Sequence, residues 1–152
     1  MFERISKEVK ILIERYGLLR PSELAEHCGL FVLRVPYRRV HGVSLSLGGL
    51  RVVTVDPSLP AQRQNGALLH ETGHQVLHPG TVGFFIEANP FERPTKYELE
   101  AHLFALLYAL RWDKWGFEEC GCDLFRFAGV YGLPYRAAEV VAWNFEKFRC
   151  FV

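Results

Sequence analysis

The chain has 152 residues, 49% of them hydrophobic, with 18 basic and 17 acidic residues and a formal net charge of +1. That length suits one domain over residues 1–152 with a core of its own. The near balance of charge excludes a dominant electrostatic partner such as bulk nucleic acid or an anionic membrane.

No run is long and apolar enough to cross a membrane, and the opening stretch MFERISKEVKILIERYG lacks a secretory pattern. A cytoplasmic location is therefore expected. Residues 3–16 carry Ile5, Val9, Leu12, Ile13 and Tyr16 on one helical face, and Gly17 ends the helix. Pro21-Ser22-Glu23 opens a short second helix with Leu24, Ala25 and Cys28 inward and Gly29 at its end. The period then changes to two. Phe31, Leu33 and Val35 form one alternating run, and Val43, Leu45 and Leu47 a second. Val52, Val53 and Val55 follow as a third strand. Gly48-Gly49 between the last two runs signals a hairpin, so at least those two strands are predicted to be antiparallel. Between the first two runs, residues 34–39 (RVPYRR) form the densest basic stretch and read as a solvated loop.

Helical spacing returns from Ala61 to His78, where Pro79-Gly80 stops it. Residues 81–93 read as irregular, with room for a short strand over residues 82–86. Thr95 is placed to cap a long helix over residues 96–112, with Glu98 completing a capping box. Two more helices are predicted, over residues 118–130 and 134–149, with Pro134 near the start of the second. The four cysteines, Cys28, Cys120, Cys122 and Cys150, do not form a metal-binding spacing and read as reduced thiols, although Cys120-Gly-Cys122 leaves a redox or second metal role open.

The chemistry concentrates in His70-Glu71-Thr72-Gly73-His74, the pattern H-E-x-x-H. On a helix, His70 and His74 lie one turn apart on one face and can reach the same zinc ion. Glu71 follows the first histidine and can act as general base on a water at the open side of the site. Gly73 in mid-helix costs about 1 kcal/mol relative to alanine, which suggests close packing against another element.

A third ligand is needed. Position 80 would be histidine in one extended form of the motif, but it is Gly80. His78 lies ~12 Å along the helix from His70, too far to share one ion, and reads as a helix-end residue. The later helix offers Glu98 and Glu100 on different faces. Glu98 shares its face with Ala101, His102 and Ala105, whose small alanines would allow close helix approach, and on that ground it is preferred over Glu100.

Two segments resemble the ImmA/IrrE family of metallopeptidases. The first is GVSLSLGGLRVVTVDPSLPAQRQNGALLHETGHQVLH, residues 42–78. The second is KYELEAHLFALLYAL, residues 96–110, which is similar to the family's E-x-x-A-[N/D]-x-F-A-x-x-L-L. The resemblance places the family's glutamate ligand on Glu98, its alanine on Ala101 and its Phe-Ala on Phe104-Ala105. It implies an α+β, zincin-like minimal metallopeptidase. In such a fold a small antiparallel sheet with a hairpin packs on the H-E-x-x-H helix and a glutamate-bearing helix, with further helices at both ends. It also implies one Zn2+ per chain held by His70, His74 and Glu98, with Glu71 as catalytic base. The implied activity is endopeptidase cleavage of a protein substrate, a DNA-binding repressor, with no direct nucleic-acid or membrane partner.

Two departures stand out. The family's Asn or Asp is His102 here, which could orient a histidine ligand or stabilise an oxyanion. The family's L-L-x-P is replaced by LLYALRWDKWG, where Trp112 and Trp115 could line a substrate groove or pack on the core. Residues 51–55 could hold the substrate as an added strand. Two other readings compete: a zinc-binding protein that captures a repressor without cutting it, and a metal-dependent DNA-binding regulator whose PSELAEHCGL, residues 21–30, would start a helix-turn-helix.

Overall fold

The computed structural model of the chain describes residues 1–36, 40–47, 49–79, 84–86 and 95–144. Among these, seven helices and four strands alternate irregularly, an α+β arrangement. They are α1 (Phe2–Tyr16), α2 (Pro21–His27), β1 (Leu30–Arg34), β2 (Val40–Leu47), β3 (Leu50–Val55), α3 (Ala61–Leu77), β4 (Phe84–Ile86), α4 (Lys96–Trp112), α5 (Lys114–Glu119), α6 (Leu124–Val130) and α7 (Tyr135–Trp143). Arg38, Arg39, Gly48, Gly80, Val82 and Cys150, all singled out above, lie outside the described residues, as does the predicted helical stretch 145–149.

Helix α4 is the centre of the molecule. Its residues from Glu100 to Leu110 are buried without a break, because α3, α1 and α7 pack around it. A helix apolar on nearly every side has no solvent face to satisfy and so must lie inside. Helix α1 supplies one wall through Phe2, Ile5, Val9 and Leu12, spaced along one face. Burial of a side chain of this size contributes roughly 1.5–3 kcal/mol. Tyr108, deep in α4, satisfies its hydroxyl by donating to the Leu19 carbonyl at 2.8 Å.

The sheet has the order β1-β3-β2-β4. Strands β2 and β3 run antiparallel, with Leu47 opposite Leu50. Gly49 beside that turn has φ 84°, a conformation that glycine adopts without a Cβ penalty. β4 pairs antiparallel with the first part of β2. The sheet is nevertheless mixed, a correction to the antiparallel sheet expected: β1 runs parallel to β3, with Leu30 opposite Arg51 and Arg34 opposite Val55. The cause is packing. Leu30, Val53 and Val55 join Ala25 and Leu68 in one apolar cluster, with Val32 packed against it, and this seats β1 on β3 and both on α3. Because β3 lies between β1 and β2, it has no free edge. Residues 51–55 therefore cannot take an added substrate strand. Strand β1 follows α2 directly, where a helix-turn-helix would need its recognition helix.

The predicted helix over 118–130 is two helices. Gly121 and Cys122 both have positive φ, 69° and 57°, and break it. Asp113 caps α5 through Gly116 N–H, and Asp123 caps α6 through the N–H groups of Phe125 and Arg126. Trp112 packs partly buried against the core, whereas Trp115 is exposed.

Helix α3 carries a second glycine, Gly66, set directly against the backbone of Tyr131; a Cβ there would overlap the Tyr131 carbonyl oxygen. Backbone cannot move aside as a flexible side chain can. Gly66→Ala is expected to destabilise the fold by about 2–3 kcal/mol, lowering Tm by roughly 5–10 °C in a thermal melt. An unchanged Tm would contradict the packing described.

Candidate metal and catalytic site

The site lies where α3 and α4 cross. Gly73 sets their spacing: a Cβ at this position would come within 3.1 Å of the Ala101 carbonyl oxygen and of the Phe104 side chain. The small pair Gly73 and Ala101 thus lets the two backbones approach closely. Around this contact each helix presents residues one turn apart, His70 and His74 on α3 and Glu98 and His102 on α4.

Three donor atoms converge. His70 Nε2 lies 3.1 Å from His74 Nε2. Glu98 reaches both rings, with Oε2 3.2 Å from His70 Nε2 and Oε1 3.0 Å from His74 Nε2. Bonds of ~2.0–2.1 Å at tetrahedral angles place ligand atoms about 3.3–3.4 Å apart, so this triangle is close to the size that one ion requires. His70 and His74 are buried, and the Glu98 side chain is 32% exposed. His74 Nδ1 is buried with no hydrogen-bond partner among the described residues.

Electrostatics agree with the geometry. Burial would raise the Glu98 carboxyl, but hydrogen bonds from His70 and His74 outweigh it and hold the group well below the usual carboxylate range. Burial pushes His70 down, against the opposing pull of Glu98. His102 is pushed down strongly, first by burial and then by the charge of His70. Buried imidazoles kept neutral are in the form that binds a metal.

Glu98 N–H donates to Thr95 Oγ1 at 3.3 Å, the first half of the expected capping box. The second half is not made in that form, because the Glu98 carboxylate is committed to the histidines.

The choice between the two glutamates has a physical basis that spacing alone only suggested. Glu100 is 2% exposed and engaged elsewhere, by Arg4 Nη2 at 2.8 Å and His78 Nε2 at 2.9 Å. His78 stands at the C-cap of α3 as the helix-end residue expected, and it pairs with Glu100 rather than joining the triangle.

His102 presents its ring to His70, with centroids 4.2 Å apart and an interplanar angle of 37°. His70, Glu98 and His102 also form a set whose ligand atoms lie within 4.8 Å of one another. Two overlapping triads thus share His70 and Glu98. In the one with His74, separations of 3.0 to 3.2 Å are close to single-ion dimensions.

Glu71 is fully buried. Leu68 packs on β3, and Gln75 accepts from Arg51 of β3. Residues 68, 71 and 75 share one helical face, and Glu71 also lies three positions before His74, next to it on the helix surface. Its charge acts on Arg51, which in the sequence reads only as part of a strand. Its signal was there: Arg51 has the same parity as the buried Val53 and Val55.

A peptidase family model described as the IrrE N-terminal-like domain matches residues 25–111. The chain belongs to this family. The match runs from α2 through the sheet and α3 to the end of α4, and so contains the whole crossing described above. Comparison with curated proteins and with solved structures gives no match. Membership makes the chain a metallopeptidase by family and fits the metal-holding donor set found between α3 and α4.

The two triads predict different outcomes. With zinc as the probe, His74→Ala is expected to weaken binding by more than about 100-fold, and His102→Asn by less than about tenfold. The reverse order in a chelator-competition titration would assign the ligand role to His102.

Proposed function

We propose that the protein is a zinc-dependent endopeptidase of the ImmA/IrrE type, acting in the cytoplasm on a DNA-binding repressor and so relieving repression. The observation that carries this reading is the triangle of His70, His74 and Glu98 donors with a buried carboxylate, Glu71, on the next face of the same helix. When bound, the zinc ion would supply Lewis-acid polarisation of the scissile carbonyl and a water made acidic enough to attack at neutral pH. His70, His74 and Glu98 would hold it. Glu71 would take the proton from the attacking water and pass it to the leaving amine. The buried surroundings of Glu71 keep competing solvent from its carboxylate and strengthen its interaction with a reacting group.

His102 supports a second reading, in which the protein binds its partner without cutting. A neutral imbedded imidazole facing His70 replaces the family's Asn or Asp and would orient that ligand less firmly than a carboxylate. The presence of Glu71 favours the enzyme.

The test compares new protein N-termini in cells expressing wild type or Glu71→Gln. One or a few new termini in a DNA-binding protein, present only with wild type, are expected. The purified variant should cleave that protein at least about 100-fold more slowly while still binding it. Identical sets of termini would count against peptidase activity and leave the capture reading.

A further inference from the structure

Between Ala101 and Leu110, the buried stretch of α4, every residue but His102 is alanine, leucine, phenylalanine or tyrosine. His102 breaks that run where α4 meets His70, with ring centroids 4.2 Å apart and planes at 37°. His70, Glu98 and His102 each place one ligand atom within 4.8 Å of the others. His74 Nε2 lies 3.1 Å from His70 Nε2 and 3.0 Å from Glu98 Oε1. Both triads contain His70 and Glu98, so the crossing gathers four donors, three imidazoles and one carboxylate.

Packing alone does not call for this residue. An apolar side chain of similar size would fill the space beside His70 without the cost of burying a polar ring. The distances suit a larger role. Two donors bound to one ion by bonds of ~2.1 Å stand at most ~4.2 Å apart. The 4.8 Å that bounds the second triad exceeds this by an amount that a small turn of the His102 ring closes, because the terminal torsion of histidine is broad. Exposure divides the four donors. His70, His74 and His102 are at most 4% exposed, whereas the Glu98 side chain is 32% exposed. The imidazoles thus approach from inside the protein, and the side of Glu98 stays open to water. Zinc is held well by three protein ligands and a water. A fourth protein donor beside an open position suits ions whose preferred geometries take more ligands, and imidazole suits nickel among them.

We propose that His102 is a fourth protein ligand of the metal, added to His70, His74 and Glu98, and that it widens the site's choice of ion from zinc toward nickel. This rests on the metallopeptidase reading above. Three donors remain for zinc without His102, so the residue adds little to zinc affinity and more to that of an ion with a higher ligand number.

The experiment uses the full chain with cobalt, zinc and nickel as probes and needs no substrate. Proton NMR of the cobalt form shows one strongly shifted, exchangeable ring N–H signal for each bound imidazole. Chelator competition gives the zinc and nickel affinities. Both are measured for wild type and His102→Asn. Three shifted N–H signals are expected in wild type and two in the variant. His102→Asn should lose less than about tenfold in zinc affinity and about 100-fold in nickel affinity. A residue that only oriented His70 would leave two signals in both proteins. That result, or a third signal that survives in His102→Asn, overturns the ligand role. Equal losses for zinc and nickel overturn the effect on metal choice. The wild-type count needs no variant, and His102→Gln carries the same comparison should His102→Asn fail to fold. A wild-type chain that takes up none of the three metals would sink the metallopeptidase reading itself, whereas normal uptake with two bound imidazoles would sink this proposal alone.

Discussion

Two helices can bring three donor atoms to one point only if their backbones come close, and in this protein the contact of Gly73 with Ala101 and Phe104 sets that distance. Everything chemical follows from it. Each helix then needs only its own pitch to line up a second residue behind the first, which is why His70 and His74 on α3 meet Glu98 and His102 on α4. The contact also explains a local cost that the fold accepts, a glycine in the middle of a helix. The sheet plays the complementary part. Packed through Leu30, Val53, Val55 and Leu68, it fixes the other side of α3.

The site gives three carboxylates three different sets of partners. Glu98 faces the histidines, which draw its carboxyl down into the ionised form despite burial. Glu100, two residues on, turns to Arg4 and His78 and ties α1 and the end of α3 to α4. Glu71 is fully buried, and its negative charge bears on Arg51 of β3. Three carboxylates within a small volume would repel one another if they shared one environment; here each has its own cationic or imidazole neighbour. The charge pattern is thus a consequence of which helix face each residue occupies, and the family's minimal chemistry fits into two helices and one strand.

Much of this was legible in the sequence. The period of 3.6 gave α1, α3 and α4, the period of two gave the strands, and the spacing of His70, Glu71 and His74 announced a metal helix. Alternation of apolar residues assigns faces but says nothing of strand order or direction, so the parallel pairing of β1 with β3 was not readable; it depends on which strand Leu68 and Ala25 help to cover. The break between α5 and α6 was missed because Cys122 at positive φ is a tertiary choice that local propensity does not report. Glu98 could be preferred over Glu100 by spacing, but the physical exclusion of Glu100 needed Arg4, 96 positions away in the chain, and His78. Arg51 reads in the sequence only as part of a strand; its parity with the buried Val53 and Val55 marks it as inward.

The central claim is that His70, His74 and Glu98 hold one metal ion between α3 and α4. Metal content by mass spectrometry on the purified chain, wild type beside Glu98→Ala, tests it most directly. The account predicts about one zinc per wild-type chain, as expected for three protein ligands at a single site, and its loss in the variant with the fold intact. A wild-type chain that carries no metal and takes none up when zinc is added, or a Glu98→Ala chain that keeps its full complement, would contradict it.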